Sequence, residues 1–197
     1  MAMRKILLLS LLAASACVAQ AAPTSWDFSY TGLFVTRSYT STGPEPRNDY
    51  AEGFEPDARI TGSFSGEDRN GNGIIDIGEL TGFQVHGRDY FPCMEAPSPY
   101  GRCGISSFSY VPGGELGFFA GWGGYDEYYS GWSGSVRSGV SARDYSYGHF
   151  YESTTSWYWT DQTRFDIVQL PVPEPASGAM AAAGLALLAG LRWRHKR

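Results

Sequence analysis

Phe108-Ser-Tyr-Val111, Leu116-Gly-Phe-Phe-Ala120, Tyr145-Ser-Tyr-Gly-His-Phe-Tyr151, Trp157-Tyr-Trp159 and Phe165-Asp-Ile-Val168 decide the fold class of this chain. Each run is short and bounded by Gly, Ser, Pro or Asp, and none keeps the three-to-four-residue apolar period of an amphipathic helix. Aromatic and β-branched residues broken by turn formers predict an all-β domain, so Ile105 to Leu170 is expected to form an antiparallel sandwich or barrel-like sheet. The pair Gly113-Gly114 between two of the runs predicts a hairpin turn.

Upstream the same pattern thins out. Trp26 to Val35 alternates large apolar with small or polar residues, as a half-buried strand does. Residues 40–57 carry Pro44, Pro46, Pro56 and several acids with little periodicity, and read as a surface loop. Ala58 to Ser65 puts Ile60, Gly62 and Phe64 on one face and predicts a second strand, and Leu80 to His86 a third.

The two ends differ from everything between them. Arg4 and Lys5 precede an apolar run from Ile6 to Ala16, and small residues surround Ala19-Gln20-Ala21, the pattern of a secretory signal peptide over residues 1–21 that signal peptidase removes, together with Cys17. At the other end come Val172, Pro173, Glu174 and Pro175, then an uncharged run from Ala176 to Leu191, then Arg192, Arg194, Lys196 and Arg197. Sixteen residues at ~1.5 Å each span roughly 24 Å, short of a ~30 Å hydrocarbon core, so flanking residues must complete this single transmembrane helix. The basic cluster acts as a cytoplasmic membrane stop and leaves the upstream chain outside the inner membrane.

In that order, the Pro-Glu-Pro signature, short apolar helix and basic tail of residues 172–197 resemble the PEP-CTERM sorting signal. The resemblance implies an exosortase that recognises the tail, removes the helix and delivers the body to the cell surface or exopolysaccharide matrix of a Gram-negative bacterium. It says nothing of the body, residues 22–171, whose length suits one extracytoplasmic domain.

Charge narrows what that body can meet. The whole chain carries −5, but between the leader and the basic tail nine arginines and no lysine face all twenty carboxylates, about eleven net negative charges. Such a surface excludes nucleic acid and anionic lipid as charge-driven partners, and suits cations or neutral sugars. Cys93 and Cys103 are the cysteines that survive leader removal, and export into an oxidising compartment predicts a disulfide between them.

The sharpest internal motif is Asp68-Arg-Asn-Gly-Asn-Gly-Ile-Ile-Asp-Ile-Gly-Glu79, which fits D-x-[DN]-x-[DN]-G-x5-E at every specified place. It resembles the EF-hand calcium loop, with Ile75 at the apolar anchor position. The resemblance implies a Ca²⁺ cofactor held by Asp68, Asn70, Asn72 and Asp76, by the Ile74 carbonyl and by a bidentate Glu79, with Gly73 at the sharp turn. Upstream, Gly62-Ser-Phe-Ser-Gly66 is a poor helix, so a strand should lead into the loop. The plainer reading is an Asn-Gly turn with solvated acids.

Enzyme signatures are missing. Only His86 and His149 lie outside the tail, and the sequence holds neither a Gly-x-Ser-x-Gly elbow nor a His-Glu-x-x-His pair. Asp126-Glu127 on a Gly- and Tyr-rich turn reads as solvated charge rather than a glycosidase pair. Trp122, Tyr125, Tyr128, Tyr129 and Trp132 read as core, since sheet aromatics usually pack inward, whereas exposure as a strip would point to sugar stacking. The expectation is a non-enzymatic exported protein, calcium-stabilised and sorted through its tail. A glycan-binding module and a secreted hydrolase are the alternatives.

Overall fold

A computed structural model describes residues 23–171 apart from Pro97; the leader and residues 172–197 lie outside the described residues. The strands are β1 (Thr24–Ser41), β2 (Arg47–Gly66), β3 (Ile75–Asp76), β4 (Leu80–Val85), β5 (Arg88–Asp89), β6 (Gly101–Tyr110), β7 (Leu116–Tyr125), β8 (Gly131–Arg137), β9 (Ser141–Gly148), β10 (Tyr151–Tyr158) and β11 (Arg164–Gln169), with one short helix, α1 (Tyr90–Glu95). They form a single antiparallel sheet in the order β3-β6-β7-β8-β9-β10-β1-β2-β4-β5, with β11 also on β1, curled into a half-barrel. The all-β expectation holds. Among the described residues no helix is long and apolar enough to cross a membrane.

β1 is the spine. One edge pairs with β2 along its whole length; the other pairs with β11 over Trp26–Thr31 and with β10 over Phe34–Ser41. The change of partner falls at Gly32, whose φ of 79° produces a register shift between Thr31 and Leu33. Thr163 Oγ1 donates to the Gly32 carbonyl at 2.6 Å, and so ties the excursion between β10 and β11 to that bulge. Pro56, which has no N–H to give, sits in the matching irregularity of β2, between Glu55 opposite Leu33 and Arg59 opposite Thr31.

Residues 40–57 correct the sequence reading: they are mostly strand, and only Thr42–Pro46 turn. The far ends of β1 and β2 form a ribbon exposed to water, so no apolar alternation marks it. Backbone pairing from Arg37↔Ala51 to Ser41↔Arg47 and an Arg37–Glu55 ion pair carry it instead.

Burial gathers at the opposite end. Trp26, Phe28 and Tyr30 of β1, Ile60 and Phe64 of β2 and Phe83 and Val85 of β4 face Phe108 and Tyr110 of β6 and Phe118 of β7. Rings meet rings: Trp26 stacks on Phe64 at 4.9 Å, and Phe83 meets Phe118 edge-on at 5.2 Å. Burying each such side chain contributes roughly 1.5–3 kcal/mol. Gly113, at φ 74°, forms the expected turn between β6 and β7, where Gly114 N–H donates to the Val111 carbonyl at 2.7 Å. Cys93 on α1 and Cys103 on β6 are bonded, Cα to Cα 6.0 Å, and pin the helix to the sheet.

Candidate functional site

The residues whose chemistry stands out in the sequence fall in three places: the loop before β4, the turn after β7, and the open mouth of the half-barrel. The 68–79 loop enters from the end of β2 and leaves through a short 3₁₀ turn, Ile77–Glu79, into β4. Asp68 Oδ1 accepts from Gly71 N–H at 2.7 Å and from Asn72 N–H at 3.1 Å, while Oδ2 accepts from Gly73 N–H at 2.8 Å. Asn70 and Asn72 each accept the N–H two residues on, and Gly71 and Gly73 take the positive φ these tight turns need. Asp76 caps the 3₁₀ turn through Gly78 N–H at 2.7 Å.

Glu79 closes the loop. It is 5% exposed, and its carboxylate accepts from Arg69 and Asn70 through Oε1 and from Asp76 through Oε2. Ile75 is buried on β3, opposite Tyr110. No group of three or more acidic, histidine or cysteine side chains among the described residues is gathered closely enough to hold a metal ion. The carboxylates of Asp68, Asp76 and Glu79 are spread over backbone N–H groups, so the loop is closed by its own hydrogen bonds and presents no preformed cage.

After β7, Asp126 is a turn-former: Oδ1 accepts from Tyr128 and Ser130 N–H at 2.8 and 2.9 Å. Glu127 is exposed beside it. The aromatic cluster corrects the sequence reading. Trp122 is buried at 7%, but Tyr125, Tyr128, Tyr129 and Trp132 are 53%, 70%, 76% and 41% exposed.

The register explains that difference. Trp122 lies opposite Gly134 and Trp132 opposite Gly124, so each indole covers a residue with no side chain. A Cβ on Gly124 would lie 2.5 Å from the Trp132 ring, and one on Gly134 would lie 2.2 Å from the Trp122 ring. Both rings are therefore laid flat on backbone. The same face continues across β9 and β10 through Asp144 and Thr155 in one row and Ser146 and Ser153 in the next.

Polar groups converge on that face from across the half-barrel. The Arg88 guanidinium stacks over Trp122 at 4.8 Å. His86 Nε2 lies 3.0 Å from Asp144 Oδ2, and the imidazole packs edge-on against Trp157 at 4.9 Å. Tyr90 is wholly buried behind them, and its hydroxyl has no hydrogen-bond partner among the described residues. Burial pushes that hydroxyl's pKa well above the ordinary tyrosine value; nearby Arg88 lowers it and Asp144 raises it. Sequence reasoning missed Arg88 and Asp144. One signal pointed there: Trp122-Gly-Gly124 and Trp132-Ser-Gly134, on antiparallel neighbours, place each Trp opposite the other's glycine.

The chain's C-terminus carries the family evidence. Residues 171–197 match the PEP-CTERM protein-sorting motif. The motif implies export, a membrane-anchored precursor, processing by an exosortase and delivery to the cell surface. No curated protein and no solved structure matches the chain.

Proposed function

We propose that this is a non-enzymatic surface or exopolysaccharide-matrix protein of a Gram-negative bacterium, a rigid β body released from its membrane anchor by an exosortase. The observation that carries this reading is a boundary. β11 ends at Gln169, Leu170 N–H donates to the Ser25 carbonyl at 2.8 Å, and the sorting motif begins at the next residue, 171. Cutting beyond the Pro-Glu-Pro signature thus leaves every strand among the described residues intact, and removing residues 1–21 spares β1, which starts at Thr24. Intact-mass analysis of the surface-released protein should show a species lacking residues 1–21 and the segment after Pro175. A mature species still ending at Arg197 in a host with an active exosortase would overturn it.

Ca²⁺ at the 68–79 loop is a second reading. It is supported by the twelve-residue pattern, the Asx turns at Asp68, Asn70 and Asn72, and the inward Glu79. A metal would have to draw together carboxylates already engaged by backbone N–H groups, so affinity should be on the order of 10⁻⁴–10⁻³ M. Thermal unfolding with millimolar Ca²⁺ or with EGTA, beside Glu79→Gln, checks it. Equal melting temperatures for the wild type in both buffers would leave Glu79 as a hydrogen-bonding staple and nothing more.

A further inference from the structure

We propose that the mouth of the half-barrel binds a neutral oligosaccharide, stacked on Trp132 beside Trp122 and hydrogen-bonded by Arg88, Asp144, Ser146 and Thr155. Two adjoining recesses of about 270 and 220 Å³ share Arg88, Trp122 and Trp132 in their walls, each with room for a sugar ring. Trp132 is the deciding side chain. If the indoles served only to cover glycine backbone, both would be sealed, as Trp122 is. Trp132 instead covers Gly124 with one face and leaves 41% of its surface to water. A rigid, flat, half-exposed ring with polar groups beside it is the surface on which the C–H face of a sugar stacks while its hydroxyls find partners.

Spacing and charge select the ligand further. From β7 to β10 the site crosses three strand spacings, about 14 Å, a stride that suits successive units of an extended sugar chain. Hydroxyls and one carboxylate line that path where a peptide-binding groove would offer apolar pockets or a free strand edge. Arg88 and Arg102 are balanced by Asp89 and Asp144, so the recesses are close to neutral within a strongly acidic body. An acidic polysaccharide would be repelled by the rest of the surface. The Cys93–Cys103 disulfide lies in one wall, so the bond that pins α1 also fixes the width of the site.

The test is titration calorimetry and tryptophan fluorescence on the exported, disulfide-bonded protein, with cello-, laminari-, malto- and manno-oligosaccharides of four to six units as probes. At least one series should bind. Trp132→Ala should weaken that binding at least tenfold and Trp132→Phe by less, while Tyr129→Ala, on the turn outside the recesses, should leave it unchanged. Far- and near-ultraviolet circular dichroism verifies that each variant keeps its sheet. Failure of folded wild type to bind any series at millimolar concentration, binding only to acidic polysaccharide, or binding unaffected by Trp132→Ala would each overturn the proposal. Sorting is read by mass, not by sugar, so failure here leaves the export reading standing.

Discussion

At the closed end of the sheet aromatic rings face aromatic rings across the strands, Phe64 opposite Phe83 and Phe108 opposite Phe118. At the open mouth they face glycines: Trp122 opposite Gly134, Trp132 opposite Gly124, Tyr151 opposite Gly148. The same residue class does two jobs, and the cross-strand neighbour, together with what covers the ring's other face, decides which. At the closed end a ring that meets a ring interlocks and is sealed from water, as Phe64, Phe83, Phe108 and Phe118 are. A ring that meets a glycine lies down on the backbone, and where its other face is open to water, as at Trp132 and Tyr151 but not at Trp122 beneath Arg88, that face adds less to stability and stays available for contact.

The largest expected effect tests that division directly. Phe83 is 2% exposed and touches Tyr90, Phe108 and Phe118, so Phe83→Ala should lose about 3–5 kcal/mol of unfolding free energy. Trp132→Ala removes a larger side chain but leaves less of a cavity, and should cost about 1 kcal/mol or less. Urea denaturation of the two variants beside the wild type measures both. Equal losses would mean that the mouth is core after all.

Alkali should find the closed end as well. Burial raises the hydroxyl pKa of Tyr30 and of Tyr90 above the ordinary tyrosine value, with a hydrogen bond to Ser138 opposing the shift at Tyr30. Both groups stay protonated in the folded protein while the unfolded chain begins to lose these protons near pH 10. Their contribution is therefore complete below that pH and drains away as pH climbs toward the raised folded values, by about 1.4 kcal/mol per pH unit for each tyrosine. Tyr90→Phe should remove about half of that slope. At pH 7 it should be neutral or stabilising, since it deletes a buried hydroxyl that lacks a partner. Denaturation midpoints from pH 7 to 11 that run parallel for the two proteins would show that Tyr90 is not the source.

How far the sequence could be read follows the same division. Where burial writes a period into the chain, as in Trp26 to Val35 or Leu116 to Ala120, the strands were legible, and Gly113-Gly114 and the cysteine pair followed from turn and redox chemistry. The ribbon of residues 40–57 was not, because strands exposed to water pair through backbone and carry no apolar period. The calcium motif was legible as a pattern, yet where its carboxylates point depends on which N–H groups the folded loop presents. The mouth was hidden for a further reason: His86 and Asp144 are 58 residues apart, and only the curl of the sheet brings them together. The Trp-x-Gly pairs were visible as letters, but read as core until the register showed what lay opposite each ring.

The smallest effect separates a glycine that seats a ring from one that merely occupies a strand. On Gly134 a new Cβ would lie 2.2 Å from Cζ2 of Trp122 and 2.5 Å from the Arg143 carbonyl oxygen. The indole could swing away, but the carbonyl belongs to the neighbouring strand and cannot move without opening the β8–β9 pairing. Gly134→Ala should therefore cost about 1–3 kcal/mol, as overpacking does, and should loosen the site by tilting Trp122 out of it. Gly53 sits in the exposed ribbon with nothing within 4 Å of a new Cβ and no positive φ. Gly53→Ala narrows the unfolded ensemble without disturbing the folded one, so it should stabilise by about 0.4–1 kcal/mol. Opposite signs from one substitution at two sheet glycines is the expected result in thermal or urea unfolding. If Gly134→Ala proves as harmless as Gly53→Ala, the flat seating of Trp122 is not enforced by the backbone, and the contrast between the two ends of the sheet loses its physical cause.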